Sequence, residues 1–344
     1  MFLKNIAIAY PVLLITSIKK GFEAFGKVVG RSGKTVARWL QESQIYYDQI
    51  DILARHEFRE KKQLILVFDD TLIKKIYSKL IEGCGRFYDT QIFRRIMAHK
   101  LLVALLTDGK QMIPLSSIFL FPKELLPNPK ESKYDWIKKI IRKVQLLFPE
   151  TRLIVTADGA FANKDFLRWC FENKIAIEVR MRSNCTVVYN GQKIAIRDIK
   201  KLKPVGRQMA RTIRALWHDI PLHITAQRRV NKHHKETIVF QASTFHAKPI
   251  EHVRIYRYRW NIEKFFRTAK QHLGLQECSS LKFETQQSHV ASVLLAYALV
   301  QCDRRKRKLP TPEAAIKAAE LKNTSFLKSY IIRQLNQLFE SANA

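Results

Sequence analysis

Two apolar patterns run along this chain. Short apolar, β-branched-rich runs at residues 64–68, 100–106, 113–121, 153–156 and 175–181 predict strands. Asp108-Gly109, between the second and third runs, predicts a hairpin turn. Elsewhere apolar residues recur three and four apart. Trp136–Leu147 therefore predicts a helix with Ile137, Ile140, Ile141, Val144 and Leu147 inward, and Asn163–Asn173 predicts another. Three strands, a helix, a strand, a helix and a strand are thus expected over residues 61–183. Residues 1–60 read as helical and basic, with Ser32 as the N-cap of a helix whose Lys34 and Arg38 share a face that DNA could meet. Residues 184–245 read as β-rich, with strands at 186–189, 221–225 and 237–240 and a hairpin turn at Asn190-Gly191. Helices return over 246–300 and in a basic tail, 301–344, where Pro310-Thr-Pro-Glu opens the last helix.

Two of the strand runs lead into acid. The first reaches Asp69, Asp70 and Thr71; the run at 153–156 reaches Asp158, with Ala160 and Phe161 just beyond. Functional groups of α/β sheets gather at such carboxyl ends. A third acid lies in the segment from Tyr256 to Lys270. Drawn as one helix, Tyr256, Arg259, Glu263 and Lys270 fall on one stripe, beside an apolar stripe of Ile255, Ile262, Phe266, Ala269 and Leu273. Alone, Glu263 reads as well as an ion pair with Arg259 one turn away. With two strand-end aspartates it completes an oxygen-only donor set, which suits Mg²⁺ or Mn²⁺ and not zinc. Three carboxylates in one place also repel one another, so they imply a bound cation.

The spacing Tyr-x2-Arg-x3-Glu-x6-Lys, met by Tyr256, Arg259, Glu263 and Lys270, resembles the signature of a large group of bacterial insertion-sequence transposases, the DDE enzymes. Asp70-Thr71 and Asp158-x-Ala160-Phe161 resemble their other two acidic motifs, so the likeness spans roughly residues 60–300. It implies an α/β fold: a ribonuclease-H-like catalytic core with a β-rich insertion and a helical N-terminal region. There the first and fourth strands would be neighbours and Asp70 would meet Asp158. It implies Asp70, Asp158 and Glu263 as catalytic metal ligands for two Mg²⁺ (or Mn²⁺) ions about 4 Å apart. Tyr256, Arg259 and Lys270 would contact DNA phosphate. Side chains alternate along a strand, so only one of Asp69 and Asp70 faces the site. The resemblance favours Asp70, which precedes Thr71, and Asp69 stays open.

The implied activity is metal-dependent cleavage of transposon ends, through a DNA hairpin in relatives, followed by strand transfer to target DNA. The implied partners are double-stranded DNA, as terminal inverted repeats and target, and a second copy in a homodimer across paired ends. Some relatives hold a flipped base with a tryptophan of the insertion; Trp217 lies in this segment, and that role is not carried over to it. Trp260 is expected to pack beside the glutamate helix. Two other readings compete. A different ribonuclease-H-like nuclease, such as a junction resolvase, should lack the Arg259/Lys270 pair and the long insertion. A silent end-binding regulator need not keep all three acids.

Composition agrees with a nucleic-acid partner. Lys and Arg number 61 against 30 Asp and Glu, a formal charge of +31, and an excess that large seeks a polyanion. Cations crowd the stretch from Lys200 to Lys232 and again Asp303–Lys308, both expected to track phosphates or stand solvated. With 47% hydrophobic residues the chain has ample material for a core. Five scattered cysteines make no C-x-x-C pair, which argues for reduced, cytosolic thiols and against zinc; the resemblance implies a bacterial cytoplasm and association with the nucleoid. The apolar run Ile6–Ile15 holds Pro11 and is too short to span a bilayer, so no membrane partner is expected. Gly30-Arg-Ser-Gly-Lys-Thr35 fails as a phosphate loop, because Val28 stands where its first glycine belongs.

Overall fold

A computed structural model describes residues 10–15, 20–39, 41–76, 80–122, 132–230 and 236–321. The expected features at residues 6–9, at Lys232 and in the tail beyond 321 lie outside the described residues.

Residues 10–15 are helical, and from residue 20 on come the helices α1 (Phe22–Val29), α2 (Gly33–Trp39) and α3 (Gln44–Phe58). Ser32 caps α2 as expected, accepting from the Thr35 amide at 3.2 Å. The central strand follows, β1 (Gln63–Lys74). Its apolar run from Leu64 to Phe68 is buried throughout, as befits a strand covered on both faces. After β2 (Gly85–Asp89), β3 (Arg94–Thr107) runs antiparallel beside β1, and β4 (Met112–Leu120) returns along β3. Then come α4 (Lys133–Leu147), β5 (Arg152–Ala157), α5 (Lys164–Glu172) and β6 (Ala176–Met181). A reciprocal pair of hydrogen bonds between Ser132 and Asp135 fixes the start of α4, a device worth about 1 kcal/mol. β5 pairs parallel with β1, and the last matched residues are Phe68 and Ala157.

Five further strands continue the sheet: β7 (Thr186–Tyr189), β8 (Gln192–Ala195), β9 (Ala210–Trp217), β10 (Ile220–Val230) and β11 (Glu236–Ser243). Asn190 and Gly191 turn between β7 and β8 with φ of 51° and 79°, the left-handed pair that their sequence predicts. β11 pairs antiparallel with β6, so this segment is joined to the first half edge to edge. Among the described residues the strands form one sheet in the order β2-β3-β1-β5-β6-β11-β10-β9-β7-β8, with β4 on β3. The architecture is mixed α/β. Its last helices are α6 (Pro249–Arg257), α7 (Trp260–His272), α8 (Phe283–Lys306) and α9 (Pro312–Leu321). The run Val290–Val300 of α8 is buried on nearly every side, against α3 and β4 among others.

Three differences from the sequence expectation matter. First, β1 does not stop at its aspartates. The longer β3 holds it through Ile73↔His99 and Lys74↔Ala98, so Asp69 and Asp70 sit within a paired strand. Second, the helix drawn from Tyr256 to Lys270 is two helices. Between them the Arg259 amide donates to Tyr256 O at 3.1 Å and the Asn261 amide to Tyr258 O at 3.0 Å, a tightened three-residue turn. Third, much of the basic stretch 303–308 is engaged within the chain. Arg305 pairs with the buried Glu57 at 2.7 Å, Arg304 donates to Lys110 O at 2.7 Å, and Arg307 pairs with Asp303 at 3.1 Å.

Candidate active site

The site grows from the alternation of β1. Its register with β3 is unbroken from Ile65 to Lys74, so neighbours along it face opposite ways. Phe68 turns to α4, where its ring meets Trp136 edge-on at 6.1 Å. Asp69 and Thr71 take the other face, under α7. Asp69 accepts from Arg259 Nη1 at 3.0 Å, and Thr71 Oγ1 accepts from Lys270 Nζ at 2.7 Å. Asp70 shares the face of Phe68 and pairs with Lys100 at 3.2 Å. Of the two candidates, the resemblance favours Asp70 and leaves Asp69 open; the alternation puts Asp69, not Asp70, on the side of Arg259 and Glu263.

Glu263 lies one turn into α7 and accepts from Arg259 Nη2 at 2.5 Å. One guanidinium therefore spans two carboxylates that are far apart in sequence. Asp158 follows β5 directly, one residue past the Phe68–Ala157 match, so it stands next to Asp69 across the two parallel strands. Its charge is felt at both Asp69 and Tyr256. Burial pushes the Asp69 carboxyl up to about 7; Arg259 pulls the other way and loses. Burial also raises the Tyr256 phenol to about 12, so it stays a neutral hydroxyl at physiological pH. Burial lowers the Arg259 pKa, but Tyr256, Asp69 and Glu263 outweigh it and hold it above its ordinary value. Arg259 Nε is buried with no hydrogen-bond partner among the described residues, a donor left over for a further acceptor.

Among the described residues no group of three or more His, Cys, Asp and Glu side chains is drawn together tightly enough to hold a metal ion. Asp69, Asp158 and Glu263 nonetheless supply hard carboxylate oxygens, the donors a divalent cation prefers. In the arrangement seen, Arg259 is the counter-cation between two of them. Lys270 is not on a solvated face: it sits against Thr71, and burial lowers its pKa. Trp260 does not pack beside the helix; it is 46% exposed, with Arg259 stacked 5.4 Å from its ring. Trp217 is buried in the added half of the sheet, edge-on to His218 at 4.7 Å.

Two clefts open from this centre. One, of about 700 Å³, runs from Asp158 between the end of β6 and β11, and Arg180, Arg182 and Arg197 line it. The other, of about 400 Å³, lies beyond Asp70 and is lined by Lys74, Lys100 and Lys270. Sequence reading missed these arginines and the first two lysines, because each is an isolated cation until the sheet gathers them. It also missed Glu178 and His252. Their side chains are fully buried and meet at 2.7 Å, joining β6 to α6 one turn before Tyr256. Burial raises the Glu178 pKa, with His252 opposing. Breaking such a pair from one side costs roughly 3 kcal/mol or more, so it anchors the helix that carries Tyr256.

The family model of the transposase DDE domain matches residues 128–299, half of the chain. That match contains Asp158 and the whole Tyr256–Lys270 pattern, while β1 lies upstream of it. Among solved structures, the cryo-EM structure of a piggyBac transposase synaptic complex with hairpin DNA is similar in fold. The TM-score is 0.54 at 10% identity, over 96% of this chain and 71% of that one. Comparison with curated protein sequences gave no match.

Proposed function

The chain belongs to the family of transposases with a DDE domain, and from that premise we propose that it cuts the ends of a mobile element and joins them to target DNA, using Asp69, Asp158 and Glu263. The observation that carries the residue assignment is Arg259, bound at once to Asp69 and to Glu263. The parallel register supports Asp158 as the third member. The first half of the sheet, β1 to β6, reads as a ribonuclease-H-like core, and β7 to β11 as an insertion that extends it.

DDE transposases generally use divalent metal ions. The three carboxylates fit such an ion in donor chemistry, with Mg²⁺ or Mn²⁺, and two ions, as the specific proposal. A divalent ion bound there supplies Lewis acidity at phosphoryl oxygen and a nucleophilic water or 3′-hydroxyl near neutral pH. The chain's own groups do the rest. Asp69 gives up the proton that burial holds until about pH 7. Arg259 leaves its carboxylates and turns its fork to a non-bridging phosphate oxygen. Tyr256, as a neutral phenol, donates a hydrogen bond to the same group, and Lys270 adds positive charge two turns along α7. Arg180, Arg182 and Arg197 line the DNA path that leads away from Asp158. The partner is duplex DNA bearing the element's terminal repeats, held by two copies of the chain. No helix among the described residues is long and apolar enough to cross a membrane.

The test is cleavage of linear DNA that carries the terminal repeat flanking the gene, with Mg²⁺ or EDTA, beside Glu263→Gln. The expected result is metal-dependent cutting at the repeat boundary that the variant lacks. Tight binding without cutting under Mg²⁺ or Mn²⁺ would instead make the chain an end-binding regulator.

A further inference from the structure

Of the residues that line the cleft beyond Asp70, Lys270 alone has a part in the chemistry just described; Lys74 and Lys100 have none. The cleft's floor is the outer part of β1, its walls are β2, β3 and the end of α7, and its volume is about 400 Å³. Three lysines converge on it from three elements. Lys74 is paired with Asp89 at 2.7 Å and Lys100 with Asp70 at 3.2 Å. Lys270 donates to Thr71 and forms no ion pair within 4.0 Å among the described residues. Each ammonium has three N–H donors, and one carboxylate contact leaves two of them unspent. The carboxylates fix where Lys74 and Lys100 point and leave a surplus of positive charge.

We propose that this cleft is a second phosphodiester site, in which Lys74, Lys100 and Lys270 hold the backbone of a DNA strand running on from the cut. Lys270 lies seven residues beyond Glu263 on α7, about 10 Å along the helix axis. A DNA strand rises about 3.4 Å per nucleotide, so the cleft meets the strand roughly three nucleotides from the reacting phosphate. Asp70 and Asp89 are positioning residues here, acting through their lysines. The inference rests on the transposase reading and adds to it a track for the strand on the side opposite Asp158.

The experiment measures binding of a fluorescent duplex carrying the terminal repeat by anisotropy, in EDTA, across a series of salt concentrations. Removing two phosphate contacts should lower the slope of log affinity against log salt by about two. Lys74→Ala/Lys100→Ala should show that loss, and affinity should fall roughly tenfold or more at low salt. Lys74→Arg/Lys100→Arg should restore the slope, which a folding defect would not allow. Lys62→Ala is the control: this exposed lysine precedes β1, at the opposite end of the strand from the aspartates. Its slope should fall by no more than a distant surface charge contributes. If the wild type binds with a steep slope and the double Ala variant matches it, the cleft holds no phosphate and the inference fails alone. If the wild type binds the repeat no better than unrelated DNA and cuts neither, the transposase reading of this site fails, and the inference with it.

Discussion

The two faces of β1 carry neighbouring aspartates into different surroundings. On the α7 face, Asp69 is largely buried, shares Arg259 with Glu263 and stands beside Asp158. On the opposite face, Asp70 is open to a cleft and holds one lysine. The residues are chemically identical and one peptide apart. Alternation along the strand separates them, and surroundings then set their work. Burial next to other acids makes Asp69 a carboxylate that a cation would stabilise. Asp70 is about as accessible, but it faces Lys100, and such a partly exposed pair carries little energetic weight.

Changes on the α7 face should produce the largest effects. Glu263→Gln keeps the shape and a hydrogen bond to Arg259 but removes a charged donor, and cleavage should fall about a thousandfold, measured as the single-turnover rate. Any loss under tenfold would break the comparison at once. Arg259→Lys keeps the charge but cannot reach two acceptors with a planar fork, so roughly a 10–100-fold loss is expected in the same assay.

pH sharpens the contrast. The folded chain keeps the Asp69 proton up to about 7, against an ordinary value of 3.8. Between those values the folded state binds more protons than the unfolded one, so metal-free stability should fall as pH rises and level off above about 7. Melting temperatures in EDTA from pH 5 to 8 should show that slope in the wild type and in Asp70→Asn, and a weaker one in Asp69→Asn. Divalent-ion affinity should rise over the same window, since the ion replaces the proton. The smallest effect belongs to the outer face: Asp70→Asn should change folding stability by about 1 kcal/mol or less, read from denaturant midpoints.

Much of this was legible in the sequence. Apolar runs located β1, β3, β4, β5 and β6, because strands packed into the core are mostly apolar along their buried stretches. The stripe Ile255, Ile262, Phe266, Ala269 and Leu273 is buried, so the apolar side of the glutamate helix was correct even though the helix breaks at Arg259. The strand at residues 85–89 was not legible, because Gly85-Arg-Phe-Tyr-Asp is short and half exposed and forms only by pairing with β3. The choice between Asp69 and Asp70 was beyond pattern reading, since either can precede a turn. It took the long pairing of β1 with β3 to show that the strand continues and which face each takes. Glu178 and His252 carry no spacing signal at all, because what joins them is the packing of α6 on β6.

The most direct test places the two neighbours side by side: single-turnover cleavage of terminal-repeat DNA with Mg²⁺ by Asp69→Asn and by Asp70→Asn. The account predicts that the first loses about a thousandfold or more and the second stays within about tenfold of the wild type. The reverse order would place the catalytic carboxylate on the other face of β1 and contradict the assignment.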